Sequence, residues 1–113
     1  MVTVDLDRPR ELKFDIRAVR ELEQRLGKPL GLVLNDIQNF GVGTIETSLF
    51  FGLQHEDKGL SLSLTQRLFK AYVDDKKSLR LLIRQISEAM EETGLFQTDE
   101  EPEGNATPEP AKP

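Results

Sequence analysis

Residues 44–57, TIETSLFFGLQHED, form the most apolar stretch of the chain and decide the fold that the sequence predicts. Apolar residues three or four positions apart are typical of a helix with one face against a core, and we expect this helix over about residues 44–55. Glycine costs a helix about 1 kcal/mol relative to alanine, so Gly52 on the inward stripe indicates that a neighbouring helix packs closely there. The stripe consists of Ile45, Leu49, Gly52 and Leu53.

Phe50 and Phe51 lie outside that stripe, on the two flanks of the same helix. A helix that is apolar almost all round is either enclosed by other elements or presents a face to a partner. Two interpretations therefore fit the sequence. The helix is enclosed by its own small domain, or its phenylalanines dock a second protein.

Residues 2–15 alternate between apolar and polar side chains as a β-hairpin does. We expect its turn at residues 7–10, because Pro9 suits a turn. An isolated hairpin is only marginally stable in water, so its apolar side must pack against the rest of the domain. The apolar positions are Val2, Val4, Leu6, Leu12 and Phe14.

Helical spacing recurs in four further segments. These helices are predicted over about residues 16–26, 30–37, 64–74 and 79–93. Asp15 is the expected N-cap of the first, and Ser63 with Gln66 has the spacing of a capping box. Residues 38–43, which contain Gly-Val-Gly, are expected to form a flexible linker.

Most apolar residues of these helices are expected to face the core, including Ile16, Leu64 and Val73. Together the elements predict one folded domain over residues 1–97. Its fold class is mainly α (α+β), with an N-terminal β-hairpin followed by a small bundle of four to five helices.

Residues 98–113 are acidic and rich in proline, and we expect a disordered C-terminal tail because such a segment has little to bury. The tail carries five acidic side chains and one lysine, so the net charge of −5 leaves the folded body near −1. A nearly neutral body without a basic stripe argues against nucleic-acid binding.

The composition leaves little chemistry for an active site. Without cysteine there is no disulfide or thiolate site, and a single histidine, His55, cannot complete a zinc site or a catalytic triad. We expect His55 to be an ordinary helix-end residue, and we expect no enzyme activity, no metal and no cofactor. The basic spots Arg8-Pro9-Arg10 and Lys76-Lys77 are interpreted as solvated corners, with a contact to an acidic partner as the alternative.

No apolar run approaches the roughly 20 residues that span a bilayer, and the N-terminus lacks the pattern of a signal peptide. We therefore expect no membrane contact and a cytoplasmic location. The candidate partner-binding residues are Phe50, Phe51 and Leu81. Leu81 joins them because it lies on the side of its helix away from the apolar stripe.

The chain resembles the tail assembly chaperones of long-tailed bacteriophages, and in particular the branch found in prophages and gene transfer agents. The resemblance covers most of residues 2–96. It is carried by the Arg-Glu-Leu-Glu…Arg-Leu-Gly-Lys-Pro-Leu run at 20–30, by Gly-Leu-Gln-His-Glu-Asp at 52–57 and by Ser-Glu-Ala-Met-Glu-Glu-Thr-Gly-Leu-Phe at 87–96. None of these runs is a catalytic signature.

This resemblance implies a small helical protein that binds the tape-measure protein and keeps its apolar helices soluble while tail tube protein polymerises around it. It further implies a location in the host bacterial cytoplasm and absence from the mature virion. Self-association is left open, as is a longer frameshifted product. Two other functions remain as alternatives: a small non-phage adaptor or regulatory domain, and a helix-turn-helix DNA binder.

Overall fold

The computed structural model describes residues 1–96 and has the predicted fold class, with an N-terminal hairpin followed by five helices. The strands are β1 (Val2–Asp5) and β2 (Pro9–Leu12). The helices are α1 (Ile16–Leu26), α2 (Leu30–Gln38), α3 (Val42–Leu53), α4 (Leu62–Asp74) and α5 (Leu79–Glu91). The predicted tail at residues 98–113 lies outside the described residues.

The hairpin is antiparallel, with Val2 opposite Leu12 and Asp5 opposite Pro9. The strand β2 therefore begins at Pro9, and the turn is shorter than the predicted one at residues 7–10. The predicted apolar alternation is confirmed, because all five apolar positions of the hairpin are buried: Val2, Val4, Leu6, Leu12 and Phe14.

Arg10 corrects the expectation of a solvated corner, since only 5% of the residue is exposed. Its guanidinium donates to both carboxylate oxygens of Asp7 at 2.7 and 2.9 Å, and it pairs with Asp57 at 3.5 Å. These hydrogen bonds lower the pKa of Asp7. Because Asp57 follows α3, Arg10 ties the hairpin turn to the end of the central helix.

Lys77 is a second basic residue that does not lie in a solvated corner. Its Nζ donates to the backbone oxygens of Asp5 and Leu6 at 3.2 and 3.0 Å. It also lies 5.6 Å from the centre of the Tyr72 ring. The loop before α5 is thereby attached to the end of β1.

Local signals at the ends of α1 behave as predicted. The Asp15 side chain accepts from the Ala18 N–H at 2.8 Å, and Gly27 ends the helix with φ 69°, in the left-handed region that favours glycine. Ile16, however, is 49% exposed, so its predicted inward position is wrong. As the first residue of its helix, it precedes the turn that packs.

The start of α4 differs from the prediction. Ser61, not Ser63, is the N-cap, and its Oγ accepts from the Leu64 N–H at 3.0 Å. Leu64 and Val73, both predicted to be buried, are 37% and 43% exposed. Both residues lie at the edges of the buried face of α4, next to the side of the helix that is exposed to solvent.

Half of the predicted flexible linker at residues 38–43 is helical. The helix α2 extends to Gln38 and α3 begins at Val42, two residues before the predicted start. Only three residues join the helices, and Phe40 among them has φ 64°. The predicted end of the last helix at residue 93 likewise moves, to Glu91.

Candidate partner-binding surface

The helix α3 lies at the centre of the domain, where it contacts β2 and all four other helices. Its inward stripe is buried as predicted, with Ile45 and Leu49 0% exposed and Leu53 1% exposed. The helix therefore serves as a fixed support for the side chains on its flanks.

Gly52 permits a close approach, but the neighbour is the hairpin and not a helix. A Cβ at this position would lie 2.6 Å from Leu12 Cδ1 and 2.7 Å from Phe14 Cζ. The backbone also joins here, because the Lys13 N–H donates to the Gly52 oxygen at 2.9 Å. This contact fixes the rotation of α3 and thereby decides which residues reach the surface.

Phe50 and Phe51 are both half-buried on α3. Their ring centres are 5.0 Å apart with an interplanar angle of 65°, which is a favourable edge-to-face arrangement. We call these two residues the aromatic pair. Phe51 packs against the hydrophobic core, so the pair is anchored on that side.

A groove of about 620 Å³ runs along α4, beside the α3 residue Glu46. Glu46, one turn before Phe50, lies in this groove, and burial raises the pKa of its carboxyl group. Val73 offers an exposed apolar contact in the same groove. Basic side chains from α4 complete the wall: Arg67 and Lys70.

A second groove, of about 550 Å³, opens on the Phe51 flank, between α1 and α3. Phe51 is its aromatic side chain, and its rim carries both signs of charge: Lys13, Asp15, Arg17, Glu21 and Lys58. His55 also lines it, and the ring Nε2 lies 3.2 Å from the Glu11 backbone oxygen. His55 therefore contacts the hairpin just beyond the end of α3.

Leu81 does not share a surface with the aromatic pair. It is 40% exposed on the outer side of α5, whereas Leu82 and Ile86 on the inner side are buried. Since α5 packs its inner side on β1 and α3, Leu81 points away from α3. The structure thus brings together two of the three predicted residues and places the third on a separate surface.

Phe40 is an exposed aromatic residue within the predicted linker at residues 38–43, and it was not predicted as a site residue. It is 45% exposed, and the Arg80 guanidinium carbon lies 5.8 Å from its ring centre. The position of a phenylalanine between two predicted helices was the one feature of the sequence that could have indicated an exposed aromatic residue here. Nothing in the sequence indicated that Arg80 on α5 would lie next to Phe40.

Within residues 1–96, no group of three or more His, Asp or Glu side chains is placed to hold a metal ion. In the same part of the chain, no helix has the length and apolar character needed to cross a membrane. Comparisons with protein-family models, curated proteins and solved structures found no match to this chain. The resemblance to tail assembly chaperones therefore stays a prediction.

Proposed function

We propose that the protein is a phage tail assembly chaperone that binds the tape-measure protein through the aromatic pair. The observation that carries this proposal is the edge-to-face contact of Phe50 and Phe51, two half-buried residues on the central helix. Aromatic residues are enriched in protein interfaces and often anchor them.

The surroundings of the aromatic pair suit an apolar helical partner. Phe51 lines the groove along α1, and the groove along α4 begins beside Glu46, one turn before Phe50. An amphipathic helix docks by laying its apolar side chains into such a groove, and charges on the rim keep the complex hydrated. The net charge of −5 adds to the solubility of the loaded chaperone.

The remaining parts of the proposal follow from the sequence resemblance. The chaperone acts in the host bacterial cytoplasm, holds the tape-measure protein while tail tube protein polymerises, and is left out of the mature virion. Neither a nucleic acid nor a membrane takes part. No described feature favours the adaptor or the helix-turn-helix function over this one.

The test is co-expression of the full chain with the tape-measure protein encoded beside it, scored by soluble yield and co-purification. Phe50→Glu should remain folded, because Phe50 is only half-buried and lies outside the hydrophobic core, and should lose the partner, because a charge replaces an aromatic anchor. Phe40→Glu is the matched control, since it places the same charge on an exposed phenylalanine elsewhere.

Three results would contradict the proposal. A tape-measure protein that stays insoluble beside the wild-type chain removes the chaperone function and favours an adaptor. If Phe50→Glu binds the partner as well as the wild type does and the two proteins have matching thermal melts, the aromatic pair is not part of the interface. An unfolded Phe50→Glu protein shows that the residue belongs to the core.

A further inference from the structure

Four charged residues form a stripe along the outer side of α5, and they are Arg80, Arg84, Glu88 and Glu91. All four are exposed, and all four line one groove of about 560 Å³ between α5 and the end of α2. At 1.5 Å per residue the stripe is about 16 Å long. We call it the charged stripe.

The charged stripe has no ionic partner within residues 1–96, since none of its members forms a salt bridge there. Other helices do pair charges one turn apart, as Arg17 does with Glu21 at 3.5 Å and Lys70 with Asp74 at 2.6 Å. Only Arg80 has a fixed neighbour, the ring of Phe40. The stripe thus presents two positive charges followed by two negative charges to solvent.

We infer that the charged stripe binds the same stripe of a second copy of this chain, with the two α5 helices antiparallel around a two-fold axis. An order of two positive and two negative charges is complementary to itself when reversed. An axis at the level of Ile86 places Arg84 opposite Glu88 of the second copy. The same axis places Arg80 opposite Glu92 of the second copy, the residue that follows Glu91. A two-fold interface needs this self-complementarity, because one surface serves both partners.

Exposed apolar residues lie at both ends of the charged stripe. Phe40 is next to Arg80 at one end, while Leu95 and Phe96 follow α5 at the other and are 49% and 37% exposed. The antiparallel arrangement brings the C-terminal end of each α5 towards Phe40 of the other copy. Apolar contacts at the two ends would then flank the ionic contacts in the middle.

The proposed dimer is independent of the tape-measure contact, because the aromatic pair lies on α3 and the charged stripe faces away from it. Exposed ion pairs contribute little one at a time, so the dimer depends on several charges acting together with the apolar ends. Its stability should fall as salt rises from about 0.1 M to 1 M, where the screening length falls from about 10 Å to 3 Å.

The test is analytical ultracentrifugation of the full 113-residue chain across the micromolar range. The wild type should form dimers. Arg84→Glu and Glu88→Arg alone should each weaken dimerisation at least about tenfold, since each brings like charges together. Mixed in equal amounts, the two variants should form a heterodimer, because one then offers only acidic and the other only basic side chains at these positions.

Arg20→Glu is the control, because Arg20 is an exposed arginine on α1 with the same change of charge. It should dimerise like the wild type. A wild-type chain that stays monomeric overturns the inference. So does a dimer that both single variants retain, and so does a mixture that fails to associate. Circular dichroism checks that each variant is folded, and failure here leaves the co-expression result unaffected.

Discussion

Helices α3 and α5 are of similar length but hold opposite places in the domain. Around α3, side chains are buried on nearly every side, including the polar residues Thr47 and Ser48. In α5, one side is buried and the other carries the charged stripe. The two helices also hold the two kinds of surface described above, an aromatic one and an ionic one.

The difference follows from the number of neighbours. Five elements surround α3, so most of its circumference must be apolar or small, and its apolar periodicity is weak. The helix α5 has solvent on one side, so its pattern is strongly amphipathic. A weak periodic pattern in an apolar helix is therefore a sign of a central position.

The largest effect that separates the two helices should come from matched leucines. Leu49→Ala on α3 is expected to lower the free energy of unfolding by about 2–5 kcal/mol, because a fully buried side chain leaves a cavity. Leu81→Ala on α5 should change it by about 0.5 kcal/mol or less, because that residue is 40% exposed. Urea denaturation at low protein concentration measures both, and similar losses would contradict the difference in burial between these two leucines.

A smaller effect is expected from glycines at the two ends of α3. Gly52→Ala should destabilise the protein by about 1–3 kcal/mol, since the new methyl group overlaps Leu12 and Phe14. Gly43→Ala should stabilise it by about 0.5–1 kcal/mol, because nothing lies within 4 Å of the added Cβ and alanine favours a helix. Thermal melts of both variants decide this, and a stabilising Gly52→Ala would show that the hairpin does not press on α3.

The smallest effect on stability is expected from Glu46 on α3, whose carboxyl group has a pKa that burial raises. Its pKa is raised in the folded protein, so the ionised form lowers stability above that pKa and the cost disappears as the pH falls through it. Glu46→Gln should therefore raise the melting temperature at neutral pH, and the gain should shrink in acid. A gain that is the same at both pH values would show that ionisation of Glu46 is not its cause.

Much of the fold could be predicted from local signals. The bounds of α1, the Asp15 cap, the left-handed Gly27 and the alternation of the hairpin all depend on residues close in sequence. Errors arose where local signals competed, as when Ser61 and Ser63 both offered a cap to α4. A choice between two serines depends on how the preceding loop packs.

The candidate surfaces were only partly predictable. The sequence placed Phe50 and Phe51 off the inward stripe, and both are half-buried in the structure. Leu81 was grouped with them because it is also off a stripe, but helical spacing carries no information about the relative orientation of two helices. Arg10 was assigned to solvent for the same reason, since its partner Asp57 is distant in sequence.

By itself, the sequence determined the order of the elements, the ends of α1 and the inward stripe of α3, because propensity, capping and periodicity act within a few residues. Only the tertiary structure decided that the hairpin packs against Gly52, that Arg80 lies over Phe40 and that the aromatic pair and the charged stripe are separate surfaces. Those facts depend on how whole elements pack, and packing depends on shape and contact between residues far apart in the chain.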